Sequence, residues 1–171
     1  NADFNVAGNS TNFGFGGDIS INANVTNTNA NGQMTFHGGP THTITAGSGV
    51  TIDASAGDGL FFSSNTLNLS NAASIKGGTR ILLTEGSNNC SYQTMCIGSG
   101  TGTNGSAAIS KYITPVLDFR LVGNTLINGP INFGGTIVLT MTGNYQIYNS
   151  PTGTITASAL AINNFDGTTN I

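Results

Sequence analysis

Apolar residues return at a fixed interval in this chain: Ile44, Val50 and Ile52 are each matched 23 residues later, by Leu67, Ala73 and Ile75. The stretch ahead of each block corresponds as well. Met34-Thr35-Phe36-His37-Gly38 precedes the first and Gly59-Leu60-Phe61-Phe62-Ser63 the second. Arg80-Ile81-Leu82-Leu83-Thr84 would open a third unit, and residues 12–24 look like an earlier one. Inside each unit apolar and polar residues alternate, as in His42-Thr43-Ile44-Thr45 and Val50-Thr51-Ile52-Asp53. Period-two alternation reads as strands with one buried face, and the intervening Gly, Asn, Ser and Asp supply turns. Strands recur faster than the ~8–12-residue spacing of a sandwich. Three short strands per unit fit one coil of a parallel β-helix, in which inward aliphatic side chains stay uncovered until another coil stacks on them.

The composition agrees with that geometry. Charged residues make up 6% of the 171 residues, against roughly 25% in an ordinary soluble domain. Stacked strands place equivalent side chains about 4.8 Å apart, where like charges repel, so ladders of neutral Asn and Thr are favoured. The residues that cover exposed helix faces are scarce, so helix is nearly excluded. A net charge of -3 with four scattered basic residues (Lys76, Arg80, Lys111, Arg120) argues against a nucleic-acid surface. No apolar run approaches the ~18 residues of a membrane-spanning helix. A first residue that is Asn rather than Met points to processing upstream.

The expected fold is therefore all-β, a right-handed parallel β-helix in one domain over residues 1–171. Solenoid-like coils fill 12–84, an excursion from the helix fills 85–115, and 116–171 hold further coils or a capping sheet. Cys90 and Cys96 lie in the excursion, which reads as a hairpin pinned by a disulfide formed in an oxidising compartment. The alternative is a β-sandwich fibre subunit.

Three segments carry a family resemblance: Gly17-Asp18-Ile19-Ser20-Ile21-Asn22-Ala23-Asn24-Val25-Thr26, Ile44-Thr45-Ala46-Gly47-Ser48-Gly49-Val50-Thr51-Ile52-Asp53-Ala54 and Leu67-Asn68-Leu69-Ser70-Asn71-Ala72-Ala73-Ser74-Ile75. They resemble the repeats of filamentous-haemagglutinin-type adhesins and autotransporter passengers. The likeness covers about residues 12–84 and is one of texture. The Asn-Pro-rich signature of the two-partner secretion module is absent. The resemblance implies a right-handed β-helix exported through an outer membrane and used in adhesion or aggregation.

Candidate sites are few. His37 and His42 flank Gly38-Gly39-Pro40-Thr41 with no Cys or carboxylate in the same motif, and read as turn-flanking residues rather than half a metal site. Asp53 and Asp58 would suit the clustered carboxylates of a carbohydrate-cleaving β-helix enzyme, but Asp before Gly is ordinary turn chemistry. Five Asn-X-Ser/Thr triplets, at Asn9, Asn24, Asn68, Asn89 and Asn104, are what this composition yields by chance. No catalytic, cofactor or metal site is expected. The expected function is that of a non-catalytic extracellular surface protein, an adhesin or structural passenger with a cell-surface glycan or protein as possible receptor. The alternative is a fibre or pilus subunit that polymerises by β-strand donation, with Phe4 and Val6 or Leu160 and Ile162 in the donor segments. A carbohydrate-active enzyme ranks third.

Overall fold

A coil of some twenty residues carries too few apolar side chains to enclose a core by itself, so its stability has to come from the coils above and below. The computed structural model, which describes residues 3–14, 16–85, 95–98 and 105–165, meets that requirement as a parallel β-solenoid of about six turns. The first coil holds β1 (Phe4–Val6), β2 (Ser10–Gly14) and β3 (Ile19–Ile21). The second holds β4 (Val25–Asn27) and the long β5 (Gln33–Ala46). The third holds β6 (Thr51–Ala54) and β7 (Gly59–Asn68), and the fourth begins with β8 (Ser74–Gly77) and β9 (Arg80–Glu85). Then come β10 (Met95–Ile97), a four-residue helix α1 (Ser106–Ile109) and β11 (Tyr112–Ile113). The chain continues with β12 (Val116–Leu121), β13 (Thr125–Ile127), β14 (Pro130–Asn132), β15 (Thr136–Met141), β16 (Ile147–Asn149), β17 (Thr154–Thr156) and β18 (Ala159–Asn164).

Every pairing among these strands is parallel and joins successive coils. Face I stacks β1, β4, β6, β8 and β11. Face II follows it along the chain and stacks β2, β5, β7, β9, β12, β15 and β18. Face III comes next, formed by β3 with the C-terminal parts of β5 and β7, and later by β10, β13 and β16. The β14–β17 pair stands immediately before face II strands and so takes the place of face I in the last coils.

The 23-residue correspondence is a physical register: Ile44 lies beside Leu67 and Ile52 beside Ile75, and the Ala73 amide donates to the Val50 carbonyl at 2.8 Å. The preceding segments pair with a different offset, Met34 beside Leu60 and Phe36 beside Phe62. The three extra residues are absorbed at irregularities between His37 and Gly39 and between Gly39 and Thr43. From Arg80 to Val116 the step between neighbours lengthens to 36 residues, which locates the expected excursion. Within it, β10 rejoins the stack parallel to β13. Cys90 lies outside the described residues, and so does its pairing with Cys96, which is buried on β10. Beyond Val116 the strands are further coils rather than a cap.

Inward side chains form columns. One runs Met34, Leu60, Ile81, Leu117, Ile137, all fully buried. Beside it Phe13, Phe36 and Phe62 stack face to face, with centroids 4.7 and 5.2 Å apart. Burying each such side chain contributes ~1.5–3 kcal/mol. At the corners the backbone ladder stops, and Asx side chains replace it. Asp18, Asn24 and Asn124 accept the amides of Thr43, Thr51 and Gln146 one coil away, at 2.8, 2.8 and 3.0 Å. This is the structural use of the abundant Asn.

Glycine meets a different corner demand. Gly32, Gly57 and Gly78 lie one above another, and a Cβ on Gly78 would collide with the Gly57 carbonyl, as one on Gly57 would with that of Gly32. A Cβ on Gly134 meets nothing. Gly78→Ala is therefore expected to destabilise by about 2–3 kcal/mol, the scale of overpacking, while Gly134→Ala stays within about 0.5 kcal/mol. Denaturant unfolding of the two variants checks this.

Candidate functional site

Side chains at odd and even positions of a strand point to opposite faces of its sheet, so Arg80, Leu82, Asp118, Arg120, Val138 and Thr140 all point away from the core on face II. The register brings them together from three coils: Arg80 lies beside Val116, Leu82 beside Asp118, and Arg120 beside Thr140. Asp118 is only 4% exposed despite pointing outward. Thr140 Oγ1 donates to its Oδ1 at 2.9 Å, and Arg80 Nη1 lies 3.5 Å from its Oδ2. The Arg80 guanidinium also lies 5.7 Å from the centroid of the Phe61 ring, within cation–π range. Burial pushes the Asp118 carboxyl above its ordinary value, against the Thr140 hydrogen bond and the charges of Arg80 and Arg120.

Both oxygens of this carboxylate are engaged, and among the described residues no three His, Cys, Asp or Glu side chains group as metal ligands would. Glycoside hydrolysis takes a pair of carboxyl groups about 5–10 Å apart. Asp118 has its named partners in Thr140 and two arginines. Its chemistry is that of a clamp joining β7, β9, β12 and β15.

The other sequence candidates are dispersed. Asp53 points outward on β6 and pairs with Lys76 on β8 at 3.0 Å. Burial would raise its carboxyl, but hydrogen bonds from the Ser55 hydroxyl and amide, with the Lys76 ammonium, outweigh burial and hold it below the ordinary value. The Asp58 carbonyl accepts the Thr79 hydroxyl, and its amide donates to the Gly32 carbonyl at 2.9 Å. Asp53 and Asp58 are thus built into separate contacts. His37 and His42 both fall in β5, around its irregularity, with His42 Nδ1 3.5 Å from Asp18 Oδ1. Phe4 and Val6 belong to β1 and Leu160 and Ile162 to β18; each strand is bonded on one edge to its own chain.

The sequence reading missed the Arg80–Asp118 cluster. The residues are 38 apart, across the elongated coil where the regular interval fails. The available signal was a local one, charged residues at alternate positions of 118–120 in a chain with almost no charge. A hollow of about 400 Å³ lies where face I is interrupted between β11 and β14 and is lined by Ile113, Pro115 and Phe133 among others. No family model, curated protein or solved structure matches the chain. The fold thus defines the class, a parallel β-solenoid, and nothing narrower.

The two carboxylates give opposite pH dependence. Below the ordinary value of 3.8 Asp118 is protonated folded or unfolded. Above it the unfolded chain releases the proton first, so stability falls as pH rises toward the raised folded value. Asp53, with a lowered folded value, contributes stability above 3.8 that is lost as pH falls through that lowered value. Urea unfolding of Asp118→Asn and the parent chain between pH 4 and 7 is expected to show the variant gaining relative stability as pH rises. A difference that stays flat with pH contradicts the buried carboxylate.

Proposed function

We propose that this chain is a non-catalytic, extracellular β-solenoid that works as an adhesin or structural passenger at a cell surface. The observation that supports the reading best is the neutral polar exterior carried along a continuous stack. Ser20, Thr45 and Asn68 form one outward ladder, and Thr51 lies beside Ser74 in another. Such a rod gains length by repetition and stays soluble without charge, which suits a spacer or contact surface held outside a cell. The textural likeness of residues 12–84 to filamentous-haemagglutinin-type repeats supports the same reading, and a Cys90–Cys96 disulfide would suit an oxidising compartment. The receptor is of the class such surfaces meet, a glycan or an extracellular protein.

Polymerisation by strand donation is less favoured, because β1 and β18 would first have to leave the strands they already pair with. The adhesive reading is tested by coupling the purified chain to beads and measuring attachment to surfaces coated with glycans or extracellular-matrix proteins. Attachment above uncoated controls, equal in the Asp53→Ala, Asp58→Ala and Asp118→Asn forms, is the expected result. Polysaccharide cleavage that disappears in any of the three would overturn it.

A further inference from the structure

Face I loses its ladder in the middle of the stack. β11 has two residues where β6 and β8 have four, and α1, just ahead of it, packs against β14 of the next coil. β11 bonds β8 and β14 bonds β17, so no ladder joins the edges that β11 and β14 turn to one another. At the following corner the coils close again, with the Thr136 amide donating to the Pro115 carbonyl at 2.8 Å. The hollow of about 400 Å³ is what this leaves. Strands of the same chain bound it on both sides, and its size falls in the ~300–1,000 Å³ range of small-molecule sites.

Its walls divide by chemistry. Ile113, Pro115 and Phe133 supply an apolar side, with Ile113 55% exposed although its neighbour Tyr112 is buried. The half-buried Phe133 ring lies against Gly135, where a Cβ would stand 2.9 Å from a ring carbon. Glycine is what lets the ring lie there. Ser110, Thr114 and Asn132 supply a polar side. The Thr114 hydroxyl donates to the Val116 carbonyl at 3.2 Å and keeps its lone pairs to accept with. Asn132 is exposed, and among the described residues none hydrogen-bonds its side-chain amide. The Phe133 amide donates to the Thr156 carbonyl on β17. Successive residues of a strand address opposite edges, so the Asn132 N–H and C=O turn toward the hollow. No charged side chain lines it.

We infer that this hollow is a saccharide subsite for a neutral pyranose. The sugar lays its C–H face on Phe133, Pro115 and Ile113, and its hydroxyls, each donor and acceptor, bond Asn132, Thr114 and Ser110. An anionic ligand would find no cation there. A peptide strand would find little ladder to extend, since β11 has two residues and α1 already packs against β14, and Pro115 and Pro130 have no amide proton to give. The inference rests on the adhesive reading and narrows its receptor to glycans that present a neutral sugar.

The test titrates the isotopically labelled full chain with methyl β-glucoside, methyl β-galactoside, methyl α-mannoside and N-acetylglucosamine. Ligands of about a dozen heavy atoms bind with about millimolar affinity, so the titration runs to ~100 mM. At least one sugar is expected to shift the amides of Asn132, Phe133, Gly134 and Gly135 saturably. Asn132→Ala removes a donor and an acceptor. Gly134→Leu fills the mouth from a position where a Cβ meets nothing. Each is expected to weaken binding at least about tenfold while keeping the parent circular dichroism spectrum and unfolding midpoint. Three results overturn the subsite: no saturable shift with any of the four sugars, shifts that both variants leave unchanged, or the same shifts from trialanine and from no sugar. Bead attachment that is equal in the parent and Gly134→Leu chains, without sugar shifts, overturns the subsite and leaves the adhesive reading standing. Saturable sugar binding at these amides, with no attachment of the parent chain to any coated surface, upholds the subsite and overturns that reading.

Discussion

Every other feature of this protein depends on the contact between one coil and the next. A single coil has three short strands, an incomplete set of backbone hydrogen bonds and a handful of apolar side chains that nothing covers. Stacking supplies all that is missing at once: the parallel ladders, the sealed columns such as Met34–Leu60–Ile81, and the aligned rings of Phe13, Phe36 and Phe62. It also dictates what is allowed between the strands. Where backbones approach most closely a Cβ cannot fit, hence the column of Gly32, Gly57 and Gly78. Where the ladder breaks at a corner, Asp18, Asn24 or Asn124 replaces the missing acceptor. The scarcity of charge has the same origin, and the exceptions follow the rule. Asp53 is followed one coil later by Lys76, and Asp118 sits between two arginines.

How much of this was legible in the sequence depended on whether a coil kept its length. Ile44 with Leu67 and Ile52 with Ile75 could be read directly, because no insertion separates those two coils. The Met34 and Phe36 positions were legible only as a segment. The irregularity across residues 37–43 adds three residues that leave the columns intact but change the arithmetic. Past Glu85 the interval gave no guidance, since a solenoid tolerates a long insertion at a corner at little cost as long as the chain returns in register. The strands from Val116 onward therefore read as either coils or a cap, and their inward Leu117, Phe119, Ile137 and Leu139 proved to extend the existing columns. The Asp118 cluster was hidden for the same reason: its partners come from strands on either side of the elongated coil.

The proposed function rests on the same stacking logic more than on any single site. The contacts of Asp118 with Arg80 and Thr140 link the coils on either side of the insertion. The neutral exterior fits a structural or adhesive role. The Asn-, Thr- and Gly-rich composition is thus explained by geometry before any ligand is invoked.

The central claim is parallel, coil-to-coil register, and nuclear Overhauser contacts in the isotopically labelled protein test it most directly. The account predicts backbone contacts from Thr43, Ile44 and Thr45 to Thr66, Leu67 and Asn68, and from Thr51 and Ile52 to Ser74 and Ile75, in the parallel pattern. Antiparallel contacts between the strand around Ile44 and the strand around Ile52, as in a hairpin of a sandwich, would contradict it.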